Sequence, residues 1–342
     1  MKKISLALTL LVAFASCKKN QVPEVAKAEL SQDIPVGIIG FIKFTDPRPQ
    51  GSAPYNFIGY GYDITDRYND ERSVRASIID IPAFVAIYPT RFEIDPSSKA
   101  YDVNRSAIDA EDLARKLSND FTLTSGLGVF RNTIKDAFTY SSHYNPLNRE
   151  YIYGYYSRVI QQKRIKMNYN LNNYFLSVIF LNDVKVMSAA ELVKKYGTHV
   201  LTDIRLGAKF NVIYQAVAKG LDREKISGAG LRYAINKGFG IFTADLDPID
   251  LSALNANQNA LIYYEATGGD LSKLTMGSYI KMPFFSIKDW QLTTTEDKAK
   301  FISIDKDGLI SLEELIADVP KKTEVKEYIR KYILDHQVKL AN

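Results

Sequence analysis

Residues 188–219 read SAAELVKKYGTHVLTDIRLGAKFNVIYQAVAK, and the fold turns on how this stretch divides. Ser188 and Glu191 stand three apart, the spacing of a capping box, in which each side chain satisfies a free backbone N–H at a helix start. After the helix the pattern alternates. The even positions from Val200 run Val200, Thr202, Ile204, Leu206, Ala208, Phe210, Val212, Tyr214 and Ala216; the odd ones include Asp203, Arg205, Gly207, Lys209, Asn211 and Gln215. Alternation at period 2 predicts a strand with one buried face and one wet face. At ~3.3 Å per residue such a strand would run roughly 60 Å, where most strands stop after about five or six residues. It needs a large, bent or coiled sheet to pack against.

The junction between the two halves is Tyr196-Gly197-Thr198-His199-Val200. Gly197 most simply ends the helix in left-handed geometry, and Gly207 marks a bend or bulge in the strand. His199 has no histidine at metal-ligand spacing, since His143 and His336 are distant in sequence. It reads as a structural, hydrogen-bonded residue at a helix–strand junction.

Composition is globular. Of 342 residues, 46% are hydrophobic and 24% charged, enough for a sizeable core. The net charge of +5 includes Lys2 and Lys3, and no basic block accumulates, so nucleic acid is not an expected partner. Residues 1–16 read as a secretion signal: two lysines, then a short apolar run. Ala13-Phe14-Ala15-Ser16 then precedes Cys17, the one cysteine of the chain, which has no disulfide partner. This resembles the lipobox of bacterial lipoproteins and marks Cys17 for lipidation, with the polar residues 17–33 as a tether; a spare thiol is the plainer alternative. No later stretch approaches the ~18 apolar residues of a spanning helix, so any spanning must come from strands.

Strands are expected over residues 35–44 and 151–170, and strand-like sequence broken at Pro82 and Pro89 over 78–95. Helices are expected over 106–117, capped by Ser106 and Asp109, over 174–186, and after Asp318-Val319-Pro320, with Val325, Tyr328, Ile329, Tyr332 and Ile333 as the apolar stripe. Within residues 121–130 Phe121, Leu123, Leu127 and Val129 alternate with Thr122, Thr124, Gly126 and Gly128. Between Ala229 and Ile241 the odd positions are Ala229, Leu231, Tyr233, Ile235, Lys237, Phe239 and Ile241, and the even ones are polar or small. That pattern fits a membrane-barrel strand, though from this segment alone an amphipathic surface hairpin of a soluble sheet is the plainer reading. Residues 305–308 with Glu314 imitate a calcium loop, but Ser303 holds the first ligand position, and a strand turn fits better. No His-Glu-x-x-His, Gly-x-Ser-x-Gly or Walker pattern occurs, so neither an enzyme nor a cofactor is expected.

Tyr196-Gly197-Thr198-His199, six residues after Val200, then Gly207-Ala208, resembles the signature of membrane-attack-complex/perforin (MACPF) proteins. There an aromatic stands at Val200 and a second glycine at Ala208. Gly59-Tyr60-Gly61-Tyr62-Asp63 is similar to a motif near the start of bacterial perforin-like proteins. The resemblance covers roughly residues 35–340, leaving no separate C-terminal targeting module, and implies one α+β domain over residues 34–342: a bent antiparallel central sheet flanked by two helical clusters. Residues 104–150 and 220–260 occupy the slots of the clusters, which in that family unfold into paired hairpins lining a pore. The resemblance further implies a lipid-anchored protein of the bacterial outer membrane or cell surface, secreted or released. It would assemble as a ring on target membrane through an unknown surface receptor, as a toxin like the Bacteroidales secreted antimicrobial proteins. A non-lytic surface adhesin keeping the fold is the alternative. Leu231, Tyr233, Ile235 and Phe239, with Leu123, Leu127 and Val129, are the candidate lipid-facing residues; Arg232 and Asn236 would face the lumen.

Overall fold

The computed structural model describes residues 36–39, 51–138, 145–168, 175–241, 248–279 and 282–341. The leader and Cys17 lie outside them. Strand β1 (Val36–Ile39) precedes β2 (Tyr60–Tyr62), β3 (Val74–Ser77), helix α1 (Ile81–Ile87), β4 (Phe92–Asp95) and β5 (Lys99–Ala107). A first helical group, α2 (Ala110–Ser118) and α3 (Arg131–Lys135), leads to β6 (Tyr151–Met167). Helices α4 (Val178–Val186) and α5 (Ala189–Tyr196) lead through β7 (His199–Leu201) into β8 (Asp203–Ala218). A second group, α6 (Arg223–Phe239) and α7 (Pro248–Asn255), ends in β9 (Asn257–Thr267). Strands β10 (Thr275–Tyr279) and β11 (Met282–Ser286), helix α8 (Lys288–Gln291), strands β12 (Lys300–Ile304) and β13 (Leu309–Ser311), and helix α9 (Val319–Asp335) close the chain.

The fold is mixed helix and antiparallel sheet. Among the described residues the main sheet runs β1-β9-β8-β6, with β5 and β4 pairing β6 and with β12 pairing β8. β1 lies parallel to β9; the other pairings are antiparallel. A second sheet, β13-β7-β2-β3, continues from the foot of β8. The expected long strand is present but pauses at Thr202, whose N–H donates to the Gly308 carbonyl (2.9 Å) across the β12–β13 turn. Residues 305–308 are thus a strand turn, and Asp305 is paired with Arg205.

Neither face of β8 is wet. Ala208, Phe210, Val212, Tyr214 and Ala216 enter one apolar core, shared with Phe239, Leu231 and Trp290. The opposite face is polar yet buried. Asn211 Oδ1 accepts from Ser157 Oγ (2.7 Å) and Tyr155 OH (3.1 Å), Gln215 Nε2 donates to Tyr153 OH (2.5 Å), and Lys209 Nζ donates to the Asn69 carbonyl. The alternation distinguishes two buried faces, one apolar and one hydrogen-bonded. Polar side chains can be buried where each finds a partner.

Other local expectations shift for identifiable reasons. Pro82 begins α1 instead of breaking a strand, because proline's fixed φ suits the first helical turn, and Asp80 caps the helix through the Ala83 N–H (3.1 Å). Asp109, not Ser106, caps α2, since β5 runs through Ala107. Residues 121–130 form no strand: a short 3-10 turn covers Thr122–Thr124. The capping box at Ser188 and the apolar stripe of α9 are as expected.

Gly207 is where three strands crowd. β6 slips register between Gln161, opposite this glycine, and Lys163, and β12 slips between Phe301 and Ser303, opposite Leu206 and Arg205 just before it. A Cβ on Gly207 would lie far inside contact of the Ile160 carbonyl oxygen. Bulges at one level bend and twist a sheet, and here β8 leaves one core, holding Ile204 and Leu206, for the other, holding Ala208 and Phe210. The glycine expected to mark a bend or bulge thus stands beside register slips of its neighbours, and what requires it is close backbone approach. Gly207→Ala alone should therefore cost at least about 3 kcal/mol, the upper range for overpacking, in urea denaturation. Gly128→Ala, whose new methyl would meet nothing nearer than 3.8 Å, should leave the midpoint unchanged within error.

His199 is buried, with Nδ1 3.0 Å from Thr198 Oγ1. Burial lowers its pKa from the ordinary 6.5 to about 4. The unfolded chain takes up this proton below about pH 6.5, the folded chain below about 4. Stability from this group is therefore full above 6.5 and falls between the two, by about 3 kcal/mol in all. His199→Asn should flatten the decline in unfolding free energy over that window; an unchanged slope would show that His199 is not charged on unfolding.

Candidate membrane-inserting site

The two motifs singled out in the sequence are docked on each other. β2 pairs β7, with Gly61 opposite Val200 and Tyr62 opposite His199. The Thr198 N–H donates to the Tyr62 carbonyl (3.0 Å), and the Ile64 N–H donates to Thr198 Oγ1 (3.2 Å). Gly61 has no room for a Cβ against the Tyr196 carbonyl, and a Cβ on Gly197 would sit 2.6 Å from the Tyr62 carbonyl carbon. Gly197 is not left-handed helical as expected: its φ of 75° and ψ of −162° fall in a region open essentially to glycine alone. Tyr196 is buried, its ring 5.0 Å edge-on to Phe180 and its hydroxyl on Asp183. Asp63 Oδ2 accepts from Arg75 (3.3 Å) and from Tyr332 OH (3.2 Å) on α9. The signature is a mechanical joint that fixes the foot of β8.

Above the joint, both helical groups hang from the same sheet in the same way. Ala107 at the end of β5 pairs Tyr153 near the start of β6. Ala218 at the end of β8 pairs Asn257 at the start of β9. Each group therefore closes an antiparallel pair of strands, and its chain is long enough to extend each strand by the ~10 residues that cross a bilayer.

Helix α6 carries most of the candidate lipid-facing residues. Leu231, Tyr233, Ile235 and Phe239 are all buried, as are Ile226, Ala229 and Ala234, so the helix is enclosed nearly all round. Small residues permit this. Gly230 lies where a Cβ would strike Asn257 Oδ1 at 2.6 Å, and Gly154 on β6 leaves room for Leu231, whose Cβ a side chain there would meet at 3.1 Å. Ser227 Oγ donates to the Tyr153 carbonyl, and Asn257 Nδ2 donates to the Ile226 carbonyl (3.0 Å). Gly228, Gly230 and Gly238 also weaken the helix, at about 1 kcal/mol each relative to alanine.

The first group does not present its candidates as a set. Val129 is buried, Leu127 is partly buried against the core, and Leu123 is 45% exposed. The structure thus separates Leu123 from the other two, because Thr124 folds inward instead, its hydroxyl donating to the Ser118 carbonyl (2.6 Å). Sequence reading missed the network that ties the sheet's polar face to the loop after β2. Arg72 lies between Asp70 (Nε to Oδ1, 2.8 Å) and Glu265 (2.6 Å). Burial opposes ionisation of Asp70, but the hydrogen bond and charge of Arg72 outweigh it and hold that carboxyl well below the usual range. No local signal marks these residues, since Glu265 and Arg72 are brought together by the fold. Among the described residues no cluster of His, Cys, Asp or Glu could hold a metal ion, and no helix is long and apolar enough to cross a membrane.

A profile of the MAC/Perforin domain matches residues 55–339. Two solved structures share the fold. One is a putative cell invasion protein with a MAC/Perforin domain from Bacteroides thetaiotaomicron, at 15% identity and a TM-score of 0.64, over 89% of this chain and 63% of that one. The other is GNIP1Aa from Chromobacterium piscinae, at 14% identity and a TM-score of 0.63, over 83% and 57%. This chain spans less than two thirds of either. No curated protein sequence matches it. With the signature joint, the bent sheet and the two helical groups in place, the profile match over most of its length establishes that this chain belongs to the MAC/Perforin family.

Proposed function

We propose that this protein is an exported, lipid-anchored pore former that assembles into rings on target membranes and perforates them, with competing bacteria as the targets. The observation that carries the reading is α6: a glycine-weakened helix, buried over most of its surface, whose sequence alternates as a barrel strand does, set between the ends of two paired strands. In lipid every backbone group must be paired within the protein, so a hairpin can enter only as part of a closed barrel, and assembly must precede insertion. Conversion would extend β8 and β9, turning Leu231, Tyr233, Ile235 and Phe239 from core residues into lipid-facing ones. Such action is physical and requires no catalytic residue. Export and lipidation rest on residues 1–17 alone.

A reversible lock tests the conversion. An ideal Cβ on Gly228 lies 3.7 Å from that of Ser106 on β5, close to the ~3.8 Å of a disulfide. Ser106→Cys with Gly228→Cys should give an oxidised protein that binds liposomes but releases no dye, and reduction should restore release. Equal lysis by the locked form would sink the hairpin reading. Ile235 is fully buried, so Ile235→Lys should lower the melting midpoint as well as lysis, and Asn236→Lys, half-buried, should lyse normally with altered ion selectivity.

The anchor has a separate test. Cys17→Ala should leave an uncleaved precursor and abolish labelling by a fatty-acid probe; undiminished labelling would remove Cys17 from the reading.

A further inference from the structure

The polar face of β8 does not close completely. A pocket of about 270 Å³ lies between it, β5, β6 and β12 on one side and the Tyr68–Asn69 and Asp120–Phe121 segments on the other. Lys209 lines it and is 2% exposed. Its ammonium has three N–H donors, and one meets the Asn69 carbonyl. Among the described residues no carboxylate lies within ion-pair distance: Asp70 is engaged by Arg72, and Glu265 by Arg72 and Tyr263. Two more polar atoms on residues lining the pocket are buried without a partner, Ser303 Oγ and Arg205 Nε. The acids of the pocket are neutralised, Asp120 by Arg105 (2.9 Å) and Asp305 by Arg205. Burial holds the Lys209 pKa below its ordinary value, opposed by the nearby charges of Asp70 and Glu265.

A buried ammonium with one acceptor is costly unless something else completes its shell. The unmet groups are an ammonium, a guanidinium N–H and a hydroxyl, and all three can donate. What is missing is an acceptor bearing negative charge and several oxygens. Tyr68, Tyr101, Phe121 and Tyr155 supply flat walls for a small organic body. The volume falls just below the roughly 300–1,000 Å³ of drug-sized ligand pockets, which suits a small ligand.

We propose that this pocket is a binding site for a small phosphate monoester, its terminal oxygens held by Lys209, Arg205 and Ser303 and its body set among the tyrosines. The ester stands for either a free metabolite or a lipid headgroup. The site joins the sheet to the segment just after α2, so occupancy would favour the soluble conformation over one in which that segment has left. Binding is measured on the soluble chain, and its success or failure is separate from lysis.

Full-length protein in phosphate-free buffer is titrated calorimetrically with glycerol 3-phosphate, and with acetate as a carboxylate of similar charge. Glycerol 3-phosphate should bind at one site and raise the melting midpoint, and acetate should bind more weakly. Lys209→Met, which keeps the length of the side chain and removes a buried charge, should fold and lose at least about tenfold in affinity. Ser303→Ala should lose several-fold, and it carries the test if Lys209→Met does not fold. Phosphatidylcholine vesicles containing phosphatidate distinguish the source: retention that glycerol 3-phosphate competes away assigns the headgroup, and binding of the free ester alone assigns a metabolite. No binding of either up to ~10 mM, affinity unmoved by both substitutions, or tighter acetate than phosphate ester overturns the proposal.

Discussion

The approach of the Ile160 carbonyl to Gly207 is the contact on which the rest of the structure depends. Three strands meet at that level, and two of them slip register to accommodate the third. Gly268 completes the crossing: with φ of 73°, it brings the end of β9 so close that a Cβ there would lie 2.9 Å from Ala208 Cα. Ala208 can thus stand where the family signature has a second glycine, because the required close approach comes from another strand. Below this level the sheet packs on the joint built from Gly61 and Gly197; above it the sheet carries two helical groups. A bend stored in backbone contacts cannot relax through side-chain rotamers, so it changes only if strands move against each other.

Much of this was legible in residues 188–219. The capping box, the helix end, the long strand and the special role of Gly207 follow from local chemistry, and local chemistry is what a sequence displays. Burial of Lys209 does not, because it is decided by Asn69, 140 residues away. The same distance effect hid the docking of the motif at Gly59–Asp63 onto the signature at Tyr196–His199: each was recognised, their contact was not. Pro82 was misread because proline stops a strand and starts a helix with equal ease, and the choice rests on Asp80 and on packing of Phe84 against Phe175. Leu123, Leu127 and Val129 alternate only on paper, since two glycines and an inward-turned threonine let the chain coil there.

Helix α6 makes the opposite point. The residues from Ala229 to Ile241 alternate like a strand and fold as a helix. Nothing intrinsic favours that outcome strongly: three glycines lower the helix propensity, and a period-2 pattern places apolar groups on every side. The helix persists because its surroundings bury most of it, leaving out the face of Lys225, Gly228, Arg232 and Asn236, with Gly154 and Gly230 making the room. Its stability is borrowed from tertiary contacts, and an element held this way is lost as a unit once the contacts loosen.

The two faces of the sheet differ in how readily they can part. The α6 face is apolar, held by area, and parting it exposes hydrocarbon to water unless lipid or a neighbour receives it. The other face is a seam of directed bonds from Tyr153, Tyr155 and Ser157 through Asn211 and Gln215 to Glu265, Arg72 and Asp70. These are stringent about geometry but exchange readily for water when opened. The apolar side is therefore held by the cost of exposing hydrocarbon, and the polar side by the fit of its hydrogen-bond partners. The bent sheet lies between the two and is held from one side by area and from the other by directed bonds.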